Sequence, residues 1–164
     1  MKQLIFEEIT EAHIGDVREI YNYYVKNTTI SFDIDGADIE QMKASVMNDN
    51  PRFKSFVIFE DKSLKGYALL TQYKKKHAYD ITAEVTIYLK PDCLGEGIGG
   101  QTLRFLEEQA REQGFKTLIA TICTENERSI ALFEKHGYVQ RALFKEIAYK
   151  FDRGLDIVCH QKML

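Results

Sequence analysis

Thr82-Ala83-Glu84-Val85-Thr86-Ile87-Tyr88-Leu89 runs through Lys90-Pro91-Asp92-Cys93 into Leu94-Gly95-Glu96-Gly97-Ile98-Gly99-Gly100 and then Gln101-Thr102-Leu103-Arg104-Phe105-Leu106. A strand-like stretch is followed by a glycine-rich turn and a helical pattern. Four glycines, Gly95, Gly97, Gly99 and Gly100, fall within six residues. A strand-to-helix turn nearly free of side chains lets backbone N–H groups approach an anion, and the positive end of the helix dipole adds to the attraction. The guest such a turn suits is a phosphate or pyrophosphate. The competing reading is a tight turn with close packing of helix on sheet.

Two phosphate-binding patterns fit poorly. No Gly-Lys-Ser/Thr closes the segment, which excludes the P-loop. Gly95, Gly97 and Gly100 do spell G-x-G-x-x-G, but a dinucleotide site needs an acidic residue at the end of the next strand. The next strand-like run, Lys116-Thr117-Leu118-Ile119-Ala120-Thr121-Ile122, meets no acid until Glu125. The chain ahead of the glycines also does not read as repeated βαβ units.

Working outward, Lys2–Ile9 reads as a first strand, and Thr10 as an N-cap before Ile14, Val17, Ile20, Tyr21, Tyr24 and Val25 at helical spacing. Asn27-Thr28-Thr29-Ile30-Ser31-Phe32 breaks that period and reads as loop. Asp38 caps a second helix bearing Ile39, Met42 and Val46, which ends near Asn50-Pro51. Phe53–Phe59 and Leu64–Gln72 flank Glu60-Asp61-Lys62-Ser63 as a hairpin. The strand Ile81–Leu89 precedes the glycines, and their helix runs to about Gln113 before Gly114 ends it. Lys116–Cys123 is a strand, Asn126–His136 a helix stopped by Gly137, and Val139–Ala148 and Leu155–Met163 are two final strands. The order β-α-α-β-β-β-α-β-α-β-β predicts an α/β fold with a mixed sheet and helices on both faces, in one domain over 1–164.

The 164 residues suffice for a substantial core, and 45% hydrophobic with 29% charged residues is ordinary globular composition. A net charge of −3 does not point to nucleic acid. The start, Met1-Lys2-Gln3-Leu4-Ile5-Phe6-Glu7-Glu8, turns acidic too early for a signal peptide, and no apolar run is long enough to span a membrane. Cys93, Cys123 and Cys159 are odd in number and widely spaced, which suggests neither a disulfide framework nor a metal site. The expectation is a cytoplasmic protein without a bound metal.

Several segments together resemble the GNAT acetyltransferases. The family's signature Gln/Arg-x-x-Gly-x-Gly/Ala is matched at both glycines by Leu94-Gly95-Glu96-Gly97-Ile98-Gly99, with Leu94 in place of Gln/Arg. A second signature, an Asn-led helix ending in Gly-Phe/Tyr, is matched by Asn126-Glu127-Arg128-Ser129-Ile130-Ala131-Leu132-Phe133-Glu134-Lys135-His136-Gly137-Tyr138. Ile20-Tyr21-Asn22-Tyr23-Tyr24-Val25 with Thr28-Thr29-Ile30-Ser31-Phe32, Ala78-Tyr79-Asp80-Ile81-Thr82-Ala83-Glu84-Val85-Thr86-Ile87-Tyr88-Leu89, and Gly154-Leu155-Asp156-Ile157-Val158 look like the branch of phosphinothricin and methionine sulfoximine acetyltransferases. The resemblance covers nearly the whole chain in order.

It implies acetyl-CoA as cosubstrate and a small amino-acid-like amine as acceptor, with direct transfer inside a ternary complex and a two-fold homodimer. Thr86, Ile87 and Tyr88 are then expected to pair through their backbone with the pantetheine, and Leu94, Gly95, Glu96, Gly97, Ile98 and Gly99 to hold the pyrophosphate. Asn126 contacts the cosubstrate, caps its helix, or does both. An alkyl ammonium with a pKa of about 10.4 is mostly protonated at neutral pH and needs a base. Glu84 stands where the branch places its base; the alternative is a carboxylate pointing to solvent from a half-exposed strand. In the basic run Lys74-Lys75-Lys76-His77, the branch implies that Lys74 or Lys76 grips an acidic group on the substrate, against a plain solvated loop. Phe32 and Tyr79 match aromatic positions near the branch's substrate pocket, or are core.

Phe133 stands where many members carry a tyrosine that protonates the departing thiolate, and Tyr73 and Leu155 stand where relatives often have tryptophan. The alternatives are acetylation of a protein N-terminus or polyamine, and a CoA-binding sensor without turnover.

Overall fold

The computed structural model describes residues 3–164. Lys2, the expected start of the first strand, lies outside the described residues. The strands are β1 (Leu4–Glu8), β2 (Ser55–Glu60), β3 (Ser63–Gln72), β4 (Thr82–Leu89), β5 (Thr117–Cys123), β6 (Val139–Lys150) and β7 (Arg153–Met163). The helices are α1 (Ile14–Asn27), α2 (Ile39–Val46), α3 (Ile98–Glu112) and α4 (Glu127–Lys135). The predicted element order is the observed one.

Local chemistry sets most boundaries. Asp38 accepts the Gln41 N–H at 2.8 Å and starts α2. Asp61 and Lys62 adopt φ of 49° and 65°, the left-handed pair a two-residue hairpin turn requires between β2 and β3. Gly114 (φ 82°) and Gly137 (φ 86°) terminate α3 and α4 where an L side chain would be strained. The final hairpin is longer than predicted at its turn end, with β6 running to Lys150 and β7 starting at Arg153, and it contains a register shift between Phe144 and Ala148. There Glu146 has φ 45°. Its N–H donates to Asp156 Oδ1 at 2.7 Å, and Lys145 Nζ reaches Oδ2 at 2.8 Å. A Cβ at Gly154 would lie 3.0 Å from Glu146 Oε1, so the Gly154-Leu155-Asp156 motif accommodates and ties this bulge.

One seven-stranded sheet has the order β1-β2-β3-β4-β5-β7-β6. Only β4 and β5 are parallel neighbours among the described residues; the other pairs are antiparallel. On one face α1 and α2 cover the first half of the sheet, with Val17, Ile20, Tyr24, Met42 and Val46 packed on Val57, Tyr67 and Leu69. On the other face Ile98, Leu103, Leu106 and Phe133 from α3 and α4 pack on Ala68, Leu70, Val85, Leu118 and Ala120. The alternation of side chains along β4 therefore sends Val85 toward α3 and α4, and Glu84, Thr86 and Tyr88 toward the α1 side. Gly66 pairs with Leu89 across β3 and β4. A Cβ on it would sit on the Tyr88 carbonyl oxygen and 2.9 Å from Leu89 Cα.

Candidate active site

The parallel pairing of β4 and β5 lasts three residues, Thr82 with Thr117, Ala83 with Leu118 and Glu84 with Ile119. Beyond it β4 stays paired to β3 through Leu89, and β5 stays paired to β7 through Cys123. Each strand keeps its outer neighbour while the two part in the middle, so the facing edges of Val85–Leu89 and Ala120–Cys123 hold no ladder with each other. Backbone N–H and C=O groups on such edges need other partners. A cleft of about 550 Å³ fills the gap, walled by those two edges and floored at its wide end by the glycine turn and the start of α4.

The two readings of the glycine cluster divide between its members. Gly95 (φ 86°) and Gly97 (φ 79°) hold left-handed backbone, and an added Cβ at either would meet nothing within 4 Å. They leave an open approach to the first turn of α3, where helix geometry leaves the N–H groups of Ile98, Gly99 and Gly100 without intrahelical acceptors. Gly99 and Gly100 also line the cleft, but their missing side chains serve packing, since a Cβ on Gly99 would lie 3.0 Å from Leu132 and one on Gly100 3.2 Å from the His136 ring. Asn126 caps α4, its Oδ1 accepting the Ser129 N–H at 3.2 Å, and it also lines the cleft.

Glu84 sits in the last pair before the strands part and is not itself among the lining residues, which begin on β4 with its neighbour Val85. It is half-buried. Burial holds its carboxyl above the usual carboxylate range, and a hydrogen bond from the Thr121 side chain offsets part of that rise. A carboxylate in such surroundings can accept a proton from an amine and hold it.

Of the residues expected to hold a cosubstrate, Thr86, Ile87, Tyr88, Leu94, Gly95, Gly97, Gly99 and Asn126 line the cleft. Ile98 does not; its side chain is 1% exposed and belongs to the core beneath α3. Glu96 is exposed on the turn. Phe32 is partly buried on the α1–α2 connection. Lys74, Lys76 and Tyr79 lie exposed on the β3–β4 connection, outside the cleft lining, with Lys74 Nζ 5.6 Å from the Tyr73 ring centre and Tyr79 edge-on to Tyr73. The cleft also draws on residues not singled out from sequence as binding, among them Tyr24, Ile30, Arg128, Ser129 and Leu132. The spacing of Ser129 and Leu132 from Asn126 on one face of α4 carried a signal for two of these positions. Tyr24 donates its hydroxyl to the Leu89 carbonyl, and burial lifts its pKa to about 12. Phe133 is 4% exposed at the cleft wall and meets Tyr138 edge-on at 4.9 Å. No group of three or more metal-ligating side chains occurs among the described residues.

The model of the acetyltransferase (GNAT) family matches residues 17–138. The phosphinothricin N-acetyltransferase of Alcaligenes faecalis is 31% identical over 95% of this chain and 80% of its own. The L-methionine sulfoximine/L-methionine sulfone acetyltransferase of Pseudomonas aeruginosa is 28% identical over 93% and 92%. A crystal structure of a GNAT superfamily phosphinothricin acetyltransferase from Sinorhizobium meliloti, in complex with acetyl-CoA, superposes with a TM-score of 0.93 at 26% identity, over 98% of this chain and 88% of the other.

Proposed function

The chain belongs to the acetyltransferase (GNAT) family, and on that premise we propose that it acetylates the α-amino group of a small amino-acid-like substrate of the phosphinothricin or methionine sulfoximine kind, with Glu84 as general base. Acetyl-CoA is the cosubstrate and supplies an activated acyl group as a thioester. One observation carries the proposal: a carboxylate whose pKa burial has raised stands in the last pair before β4 and β5 part, next in sequence to Val85, where the lining of a cleft that ends in a glycine turn begins on β4.

The residues present suit each requirement of the transfer. Gly95 and Gly97 leave the N-terminus of α3 open to a pyrophosphate, and Arg128 adds positive charge at the same end. The free edge of Thr86–Tyr88 offers backbone groups to the pantetheine amides and to the thioester carbonyl. Glu84 takes the ammonium proton, directly or through one water. Phe133 has no proton to give, so the departing thiolate draws one from water. A thiol with an ordinary pKa of about 8.5 makes that a modest demand. On the acceptor side, Phe32 and Tyr79 supply aromatic contact and Lys74 or Lys76 meets an acidic group, an assignment resting on the resemblance alone. Cys93, Cys123 and Cys159 are free thiols, and the setting proposed for the reaction is the cytoplasm. Leu143, Phe144, Ile147 and Tyr149 on the edge strand β6 are exposed apolar side chains that a two-fold partner would cover.

The test is acetyl-CoA-dependent thiol release across phosphinothricin, methionine sulfoximine, methionine sulfone, amino acids, polyamines and short peptides. Turnover should concentrate on the amino-acid analogues. Preference for polyamines or peptides would move the substrate class, and acetyl-CoA binding with no thiol release for any amine would replace the enzyme with a sensor. The pH profile supplies a further expectation. Glu84 must be ionised to act, so kcat should fall as pH falls through its pKa, at a value above 4.5 because burial raises it. Two amines of different basicity separate this limb from the substrate's own, since only the latter moves with the amine. A low-pH limb that persists in Glu84→Gln would assign it to another group.

A further inference from the structure

The parting of β4 and β5 leaves an opening on each face of the sheet. On one face, the glycine turn and α4 border it. On the other face, where Glu84 and Thr86 point, a four-residue segment lies across it. Thr28–Ser31 leaves the end of α1, which is joined to β4 by the Tyr24–Leu89 hydrogen bond, and reaches the turn that follows β5. Ile30, at its middle, lines the cleft.

The segment is pinned on both sides of Ile30. Thr28 Oγ1 donates to the Tyr24 carbonyl at 2.7 Å and accepts the Ile30 N–H at 3.1 Å. Thr29, 9% exposed, donates its hydroxyl to Glu125 Oε1 at 3.1 Å. Glu125 is itself held by a two-pronged contact from Arg153, at 2.7 Å to Oε1 and 3.2 Å to Oε2, and directly precedes Asn126. Ser31 bonds the Tyr21 hydroxyl at 3.2 Å, and its carbonyl accepts from Lys150 Nζ at 2.7 Å. The same buried ammonium donates to the Val25 carbonyl at 2.7 Å. An ordinary surface loop does not draw two charged side chains from distant parts of the chain onto its backbone and hydroxyls. Charge-assisted bonds of this kind are the stronger ones, and a two-pronged guanidinium fixes direction as well as distance.

We propose that Glu125 is a positioning residue for the amine. With Lys150 it fastens Thr28–Ser31 as a strap over the acceptor side of the cleft, and the fastening sets how tightly the amine binds. This rests on the acetyltransferase reading given above for which side the amine enters. The glycine turn lies on the opposite face, so the strap, although Ile30 lines the same cleft, makes none of the pyrophosphate contacts on which acetyl-CoA binding is expected to rest.

Thr29→Val removes one hydroxyl from a buried site with little change of shape, and Glu125→Ala removes its partner. Thr29→Ser keeps the hydroxyl. With the preferred amine, Thr29→Val should raise KM about tenfold, the effect of one lost hydrogen bond to a charged acceptor. Its kcat and its dissociation constant for acetyl-CoA should stay within about twofold, below the scale of one hydrogen bond. Glu125→Ala should do the same, the double variant should add little, and Thr29→Ser should restore the parent value, as two residues acting through one contact require. Hydrogen exchange of the Ile30 amide should quicken in Thr29→Val and Glu125→Ala. Faster exchange with an unmoved amine KM overturns the acceptor role, and so does a rise in the acetyl-CoA dissociation constant that matches the rise in KM. Unchanged exchange overturns the strap itself. If the parent turns over no amine, the acetyltransferase reading fails on its own, and exchange then decides the strap.

Discussion

Glu84→Gln is expected to lower kcat for the preferred amine by about two to four orders of magnitude, the usual worth of a positioned base. The glutamine amide fills the same space where β4 and β5 part, but it cannot accept the ammonium proton. Binding of acetyl-CoA, measured by calorimetry without amine, should be unchanged, because the cleft walls and the glycine turn are untouched. A loss of less than about tenfold would mean that water or another group removes the proton, since a base normally contributes more. The same variant carries an opposite expectation for stability. Burial sets the folded-state pKa of Glu84 above its unfolded value. The stability it contributes is therefore fully present below the unfolded pKa and is lost as pH rises through the folded one. At neutral pH the parent bears that loss and Glu84→Gln does not, so its melting temperature should equal or exceed the parent's. A variant both slower and less stable would point to a structural role for the carboxylate.

Gly66→Ala is expected to damage the fold and the cleft together. The added Cβ would fall on the Tyr88 carbonyl oxygen and 2.9 Å from Leu89 Cα. These are backbone atoms, so no rotamer change relieves the contact and β4 must shift. Overpacking of this kind costs on the order of 3 kcal/mol. For a chain of 164 residues that lowers the melting temperature by about 6–12 °C. Tyr88 and Leu89 wall the cleft, and the Leu89 carbonyl holds Tyr24, so acetyl-CoA affinity should fall as well. Gly15→Ala is the control of opposite sign. It lies in α1 with nothing within 4 Å of the new methyl, and should stabilise by about 0.5–1 kcal/mol. Equal behaviour of the two variants would refute the packing argument.

Local chemistry was legible where it determines structure by itself. Asp38, Gly114 and Gly137 start or stop helices by rules that act within a few residues, and their positions could be read directly. The helical period of α1 likewise exposed its buried face. The glycine turn was legible as a feature but not in its division of labour, because the contacts of Gly99 and Gly100 come from Leu132 and His136 on another helix. The parting of β4 and β5 had no local sign at all. It arises from which outer neighbours the strands keep, and only the assembled sheet determines that. Tyr24, Ile30 and Arg128 join the cleft through that assembly, and Glu125 meets Thr29 across almost a hundred positions of chain. Lys74, Lys76 and Tyr79 illustrate the converse. Their chemistry was evident in the sequence, yet the fold sets them on a connection away from the cleft lining.

The three-residue junction between β4 and β5 has a consequence for the durability of the molecule. Strands β1 to β4 form one antiparallel set and β5, β7 and β6 another, and few ladder rungs join them. A ligand lodged in the gap with contacts on both walls acts as a splint, contributing cohesion that the missing rungs do not. At a hundredfold excess over its dissociation constant such a ligand adds about 2.7 kcal/mol, a sizeable share of the stability of an ordinary domain. The resistance of this chain to unfolding and proteolysis should accordingly follow the supply of its acyl donor, tying the lifetime of the catalyst to the availability of what it consumes.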